Sequence, residues 1–188
     1  KKLNKHFVNL AEKNIYTIMP GFTHLKNAQP ISLGHYLLAY VEMFDRDLNR
    51  FNYNLNNLNE SPLGVGALSG TSFNIDRKFT AKKLKFKKIS NNSIDTVSNR
   101  DFALDFLFSC ATCSMHISRL SEEFIIWNSD AFNFISLKDS LVTGSSMMPQ
   151  KKNPDPLEYL RGKSGNAYGN LFSMFTILKG LPLSYFKD

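Results

Sequence analysis

The chain has 188 residues, 43% of them hydrophobic, and a formal net charge of +7. That is enough apolar material for one domain with its own core, no run is long and apolar enough to cross a membrane, and no signal peptide is visible. Two cysteines are too few for a disulfide framework, so a reducing cytoplasm is the expected setting, and the positive balance favours anionic ligands: nucleic acid, a membrane surface or a dicarboxylate.

The chain opens Lys1-Lys2-Leu3 without a methionine and stops at Asp188, straight after Leu181-Pro182-Leu183-Ser184-Tyr185, so an internal piece of a longer protein is expected. Residues 18–32 read as a link. Pro20-Gly21 is a turn signal, Pro30 pushes Gln29 into an extended conformation, and Ser32 is placed to cap a helix. That helix is marked by Leu37, Val41, Phe44, Leu48, Phe51, Leu55 and Leu58, which alternate spacings of four and three. Residues 61–77 form a second, glycine-rich link, and a short helix is expected around 76–86.

The densest basic run lies there, from Arg77 through Lys78, Lys82, Lys83, Lys85 and Lys87 to Lys88. It reads as a solvated helix face, because nucleic-acid binding wants arginine or aromatic platforms among the charges. Phe79 and Phe86 are the only aromatics present, and no binding motif surrounds them.

A second heptad seam runs through Ala103, Phe106, Cys110, Cys113, Ile117, Leu120, Phe124 and Trp127. Cys110, Cys113 and His116 have a spacing that superficially suits a metal, but both cysteines are consecutive seam members and zinc wants a fourth ligand, so they read as buried thiols. His35 and His116 lie on long helices and read as packing or solvation, and His6 carries no function either. The third link, 129–153, ends in Gly144-Ser145-Ser146-Met147-Met148-Pro149-Gln150-Lys151-Lys152-Asn153-Pro154. It reads as a mobile loop, about 140–153, entering a helix with Asn153 as N-cap and Pro154 at the first helical position. The positive end of a helix suits an anion, particularly one that gains charge during a reaction.

The last seam, Leu157, Leu160, Ser164, Ala167, Leu171, Met174 and Leu178, completes three helices of about 27 residues, roughly 40 Å each. Long helices with straight apolar seams pack near ~20° in a bundle. The expected fold is therefore all-α, a long-helix bundle occupying 1–188 as one central domain. Leu38, Met43, Leu107 and Phe175 widen the seams, so part of their burial is expected from absent segments or other subunits.

Two of these segments carry a resemblance. Gly144-Ser145-Ser146, Met148-Pro149, Lys151 and Asn153-Pro154 resemble the signature of the fumarase/aspartase superfamily, and Gln150-Lys151-Lys152 before Asn153-Pro154-Asp155 is similar to its argininosuccinate lyase branch. Fumarases usually flank the lysine with a small residue and a valine. Adenylosuccinate lyases usually place histidine before it and arginine or valine after it. The run from Gly21 through Thr23-His24-Leu25 to Pro30 is similar to that branch's second signature, with Lys26 where glutamine is usual. Leu181 to Asp188 is similar to a further motif, with Phe186 where asparagine is usual, and Ile75-Asp76-Arg77 is also family-like.

The resemblance implies cleavage of argininosuccinate to arginine and fumarate by acid/base β-elimination, the last step of arginine biosynthesis. It implies no cofactor and no metal. Ser145 and His24 are implied as the proton-transferring pair, Glu158 as the carboxylate that orients His24, and Lys151 and Asn153 as the groups that hold the substrate carboxylate. Thr23, Tyr185 and Arg77 are implied as substrate contacts, although Arg77 reads equally well as the partner of Asp76 at a helix start. Serine is a poor base unless its hydroxyl is polarised, and Lys151 and nearby backbone N–H groups are the candidates for that task. A homotetramer with active sites shared between subunits is implied, with no nucleic acid and no membrane as partner, and the isolated piece is expected to be inactive. The alternatives are another fumarate-releasing lyase of adenylosuccinate lyase or fumarase type, or a non-catalytic, crystallin-like helical scaffold.

Overall fold

A computed structural model describes residues 1–186. In chain order the elements are α1 (Lys2–Lys13), β1 (Ile18–Thr23), β2 (Lys26–Ser32), α2 (Leu33–Asn57), β3 (Glu60–Ser61), α3 (Arg77–Lys83), β4 (Lys88–Ile89), α4 (Ser93–Ser98), α5 (Asp101–Asn128), a single 3₁₀ turn (Asp139–Leu141), β5 (Thr143–Gly144), β6 (Lys152–Asn153) and α6 (Asp155–Leu178). The three seams therefore lie on α2, α5 and α6, each within a few residues of its expected bounds. Ser32 caps α2 as expected, its hydroxyl oxygen accepting the His35 N–H at 3.1 Å.

The chain divides into two compact units, one of Lys1–Asn49 and Thr112–Gly165, the other of Arg50–Ala111 and the described residues from Asn166 onward. In the first unit Phe7 and Ala11, one helical turn apart on α1, meet Leu37, Tyr40 and Phe44 of α2 in a core flanked by Ile117, Leu120 and Phe124 of α5. Leu37 is 1% exposed. Tyr36 donates its phenol to the Glu123 carboxylate, and its ring lies 4.8 Å from that of Trp127. Burial first, then that hydrogen bond, holds the Tyr36 phenol far above its ordinary range, and burial pushes Tyr40 up to about 12. His116 and Asp47 are both buried and joined through Nδ1 and Oδ2 at 2.8 Å. The histidine read as packing or solvation is thus hydrogen-bonded to a carboxylate inside the core.

In the second unit, buried Asn54 of α2 donates to the Asp105 carbonyl at 3.0 Å and to the Ser109 hydroxyl at 2.8 Å, and Phe51 meets Phe106 edge-on. β3 and β4 pair in parallel over two residues. Asp76 caps α3 by accepting from the Phe79 N–H at 2.9 Å.

The seams are correct as helices and incomplete as cores. On α6 the covered line is Leu157, Arg161, Ser164, Ala167, Leu171, Met174 and Leu178, while Leu160, Phe172 and Phe175 stay exposed. Leu55 on α2 and Leu58 just past its end are exposed, and Phe106 is exposed on α5. Heptads report which side of a helix is apolar, and the described residues leave these sides uncovered.

Candidate active site

Residues 18–32, read as a link, are an antiparallel hairpin. Ile18 pairs with Ser32, Pro20 with Pro30 and Thr23 with Lys26, with a register shift between Pro20 and Phe22. The prolines face each other, and Gly21 sits at the shift because a Cβ there would lie 2.7 Å from the Gln29 carbonyl oxygen. The oxygen belongs to backbone and a Cβ is fixed by the backbone that carries it, so neither yields cheaply. Gly21→Ala is therefore expected to destabilise the protein by about 1–3 kcal/mol, read from thermal unfolding. An unchanged midpoint would mean that the hairpin does not need this close approach.

His24 and Leu25 form the two-residue turn, with φ of 53° and 55°. Two left-handed residues in succession match the twist of the flanking strands, but the turn usually contains Asn and Gly. Leucine in that region costs on the order of 1–2 kcal/mol. This strained turn places an exposed histidine at the tip of the hairpin. The arm is anchored through Phe22, whose ring centroid lies 5.5 Å from that of Phe132 and 6.0 Å from that of Phe134. These aromatics follow α5, at the start of the segment that leads to the serine loop.

That loop has a closed neck. Thr143 pairs with Asn153 and Gly144 with Lys152, so β5 and β6 bring together the two ends of residues 145–151. Thr143 donates its hydroxyl to Asp155, and Lys152 pairs with Asp139. Inside the loop the Ser145 hydroxyl oxygen accepts the N–H of Met147 at 3.3 Å and of Met148 at 3.2 Å. Two convergent N–H dipoles favour negative charge on that oxygen. Ser145 is half-buried and Lys151 exposed.

One local expectation is corrected. Asn153 is not the N-cap of α6, nor does Pro154 take the first helical position. The Pro154 carbonyl accepts from Leu157 N–H at 2.9 Å and Glu158 N–H at 3.2 Å, so Pro154 itself holds the capping place while Asn153 belongs to β6. Pairing with Thr143 outweighs the local preference, and it leaves both ends of the Asn153 side-chain amide free of capping duty.

Thr23, His24 and Glu158 are exposed. Among the described residues no side-chain hydrogen bond or ion pair joins any two of His24, Ser145, Lys151, Asn153 and Glu158. Glu158 lies in the field of Arg161, whose guanidinium bonds Glu122 at 2.6 Å. All of these residues belong to the first unit. Arg77 and Tyr185 belong to the second. The Arg77 guanidinium donates to the Leu63 carbonyl at 2.9 Å and the Ser90 hydroxyl at 2.8 Å, and Asp76 caps its helix instead of pairing with it. Tyr185 borders a cleft of about 690 Å³ with Asn99, Arg100 and Asp101. Lys187 and Asp188 of the terminal motif lie outside the described residues.

Cys110 and Cys113 are half-buried thiols outside any disulfide, and burial pushes Cys110 up. Among the described residues no cluster of His, Cys, Asp and Glu is placed to hold a metal ion, and no helix is long and apolar enough to cross a membrane. The polar clasps of the neck, Thr143 with Asp155 and Asp139 with Lys152, escape sequence reading, because a two-residue ladder has no periodicity to detect.

A family profile described as a lyase matches residues 1–169. The chain belongs to that lyase family. Among its relatives, argininosuccinate lyase from Pelagibacter ubique is 69% identical over the whole of this chain, which spans 42% of that relative. EDDS lyase, solved with formate, superposes with a TM-score of 0.92 at 35% identity, over 95% of this chain and 36% of its own; a variant solved with bound fumarate gives 0.91. Class II fumarase from Schistosoma mansoni, 22% identical, shares the fold with a TM-score of 0.81, over 94% of this chain and 42% of its own. The helical architecture expected of the fumarase/aspartase superfamily is therefore the one this lyase-family chain has.

Proposed function

We propose that the full-length protein cleaves argininosuccinate to arginine and fumarate, without cofactor or metal, as the last step of arginine biosynthesis in the cytoplasm. The observation that carries this reading is the Ser145 hydroxyl oxygen under two main-chain N–H groups, inside a loop whose neck is clasped shut. The high identity to a relative named argininosuccinate lyase supports the choice of substrate.

The chemical difficulty is a carbon-bound proton beside a carboxylate. Its removal places a second negative charge on that carboxylate. Ser145 and His24 form the proton-transferring pair. One takes the proton from the succinyl methylene, the carbon–nitrogen bond breaks as the double bond of fumarate forms, and the other returns a proton to the departing guanidino nitrogen. Glu158 orients His24 and supports its charged form. Lys151 and the free amide of Asn153 meet the charge that builds on the carboxylate. Thr23, Tyr185 and the unspent donors of Arg77 hold the substrate.

The single chain leaves His24 exposed and unpaired with Glu158, which supports a site completed by other copies. The exposed apolar residues Phe102, Phe106 and Phe108 of α5 and Leu160, Phe172 and Phe175 of α6 support the same conclusion. A homotetramer, with His24 and Ser145 serving one pocket from different subunits, satisfies both.

An absorbance assay for fumarate tests the proposal, using the full-length protein with argininosuccinate, adenylosuccinate and malate. Fumarate is expected from argininosuccinate alone. Its absence there, or faster release from adenylosuccinate or malate, overturns the assignment.

A further inference from the structure

One charged residue of the hairpin has no task in this chemistry. Lys26 closes the turn that carries His24, and its partner across the strands is Thr23. Residues directly opposite in an antiparallel pair project from the same face, with Cβ atoms about 4.5–5.5 Å apart. Thr23 and Lys26 thus share one side of the hairpin tip. Both are exposed, and among the described residues no carboxylate pairs with the Lys26 ammonium. Its four-carbon stem reaches past the threonine methyl and hydroxyl, so a ligand held by Thr23 lies within range of a full, uncompensated positive charge. The turn beneath it is built from two left-handed residues, and the strand leading into it is packed through Phe22 against Phe132 and Phe134.

We propose that Lys26 is a substrate-binding residue whose ammonium pairs with a carboxylate of the succinyl group beside Thr23. This inference rests on the hairpin tip being part of a dicarboxylate site. It assigns Lys26 to binding and not to proton transfer, because a cation that holds a carboxylate equally before and during reaction lowers KM without raising kcat.

The test uses the full-length protein with Lys26→Gln, which keeps a donor of similar length without the charge, and Lys26→Arg, which keeps the charge. Fumarate affinity is measured by calorimetry at two salt concentrations, and fumarate release by absorbance. Lys26→Gln is expected to raise both the fumarate Kd and KM about tenfold, with kcat within about twofold. It should also flatten the salt dependence of Kd. Lys26→Arg should stay within about threefold of the parent. Circular dichroism checks that the exposed substitutions leave the helices intact. A Gln variant that binds fumarate within about twofold of the parent overturns the inference, as does an Arg variant no better than Gln. A parent that binds fumarate but does not cleave argininosuccinate overturns the proposed reaction, and calorimetry then judges Lys26 alone. A parent that does not bind fumarate overturns both.

Discussion

Replacing Ser145 with alanine in the full-length protein is expected to lower kcat for fumarate release by about a thousandfold or more, with the far-ultraviolet circular dichroism unchanged. General acid/base groups contribute roughly 10²–10⁴-fold, and this hydroxyl is one of only two proposed proton carriers. Its oxygen receives the Met147 and Met148 N–H groups, so alanine removes both the reactive atom and the acceptor of two loop hydrogen bonds. The loop keeps its neck, because the β5–β6 ladder, the Thr143–Asp155 bond and the Asp139–Lys152 pair do not involve Ser145. Substrate affinity should therefore change far less than kcat. A variant retaining more than about a tenth of parental kcat would show that the proton leaves by another route.

The largest effect on stability is expected from His116→Ala. The imidazole and the Asp47 carboxylate lie in the core, with side-chain exposures of 7% and 4%. Truncating the histidine removes one hydrogen-bond partner of a buried carboxylate and opens a cavity beside it, a change that together costs about 2–4 kcal/mol. Urea unfolding of the full-length protein should show a lower midpoint at unchanged slope. Replacing both residues by leucine should recover much of the loss, since the penalty comes from an under-bonded polar group and an unfilled volume and not from the absence of the pair itself. A loss below about 1 kcal/mol for His116→Ala would mean that solvent reaches Asp47.

Much of this architecture is readable in the residues, and the unreadable parts have physical causes. The seam from Leu37 to Leu58 locates α2 because an apolar stripe at a period near 3.6 matches the turn of a helix and not the alternation of a strand. The same stripe does not reveal that Leu37 and Phe44 face a core within the chain while Leu55 stands in solvent. Burial by another subunit leaves the same pattern in one chain as burial within it. The hairpin is hidden because Pro20, Gly21 and Pro30 break the alternation of a strand, and because His24-Leu25 lacks the glycine of a tight turn. Asn153-Pro154 carries a strong local helix-start signal, yet Asn153 pairs with Thr143 and the cap moves one residue on.

The candidate site divides in the same way. The residue types around Ser145 and His24 are legible because the signatures are long and mix residue types. The convergence of two N–H groups on Ser145, and the aromatic anchor beneath the His24 arm, come from backbone geometry that no spacing rule encodes.

The most direct measurement is a structure of the full-length oligomer of the Ser145→Ala variant with argininosuccinate bound. The alanine Cβ, standing where the hydroxyl is attached, is expected to pack against the succinyl methylene, so that a hydroxyl restored there comes within about 3.5 Å of that carbon. Lys151 and Asn153 should meet the adjoining carboxylate in the same copy. A serine loop turned away from the bound diacid in every copy, with solvent between them, would contradict the proposed chemistry.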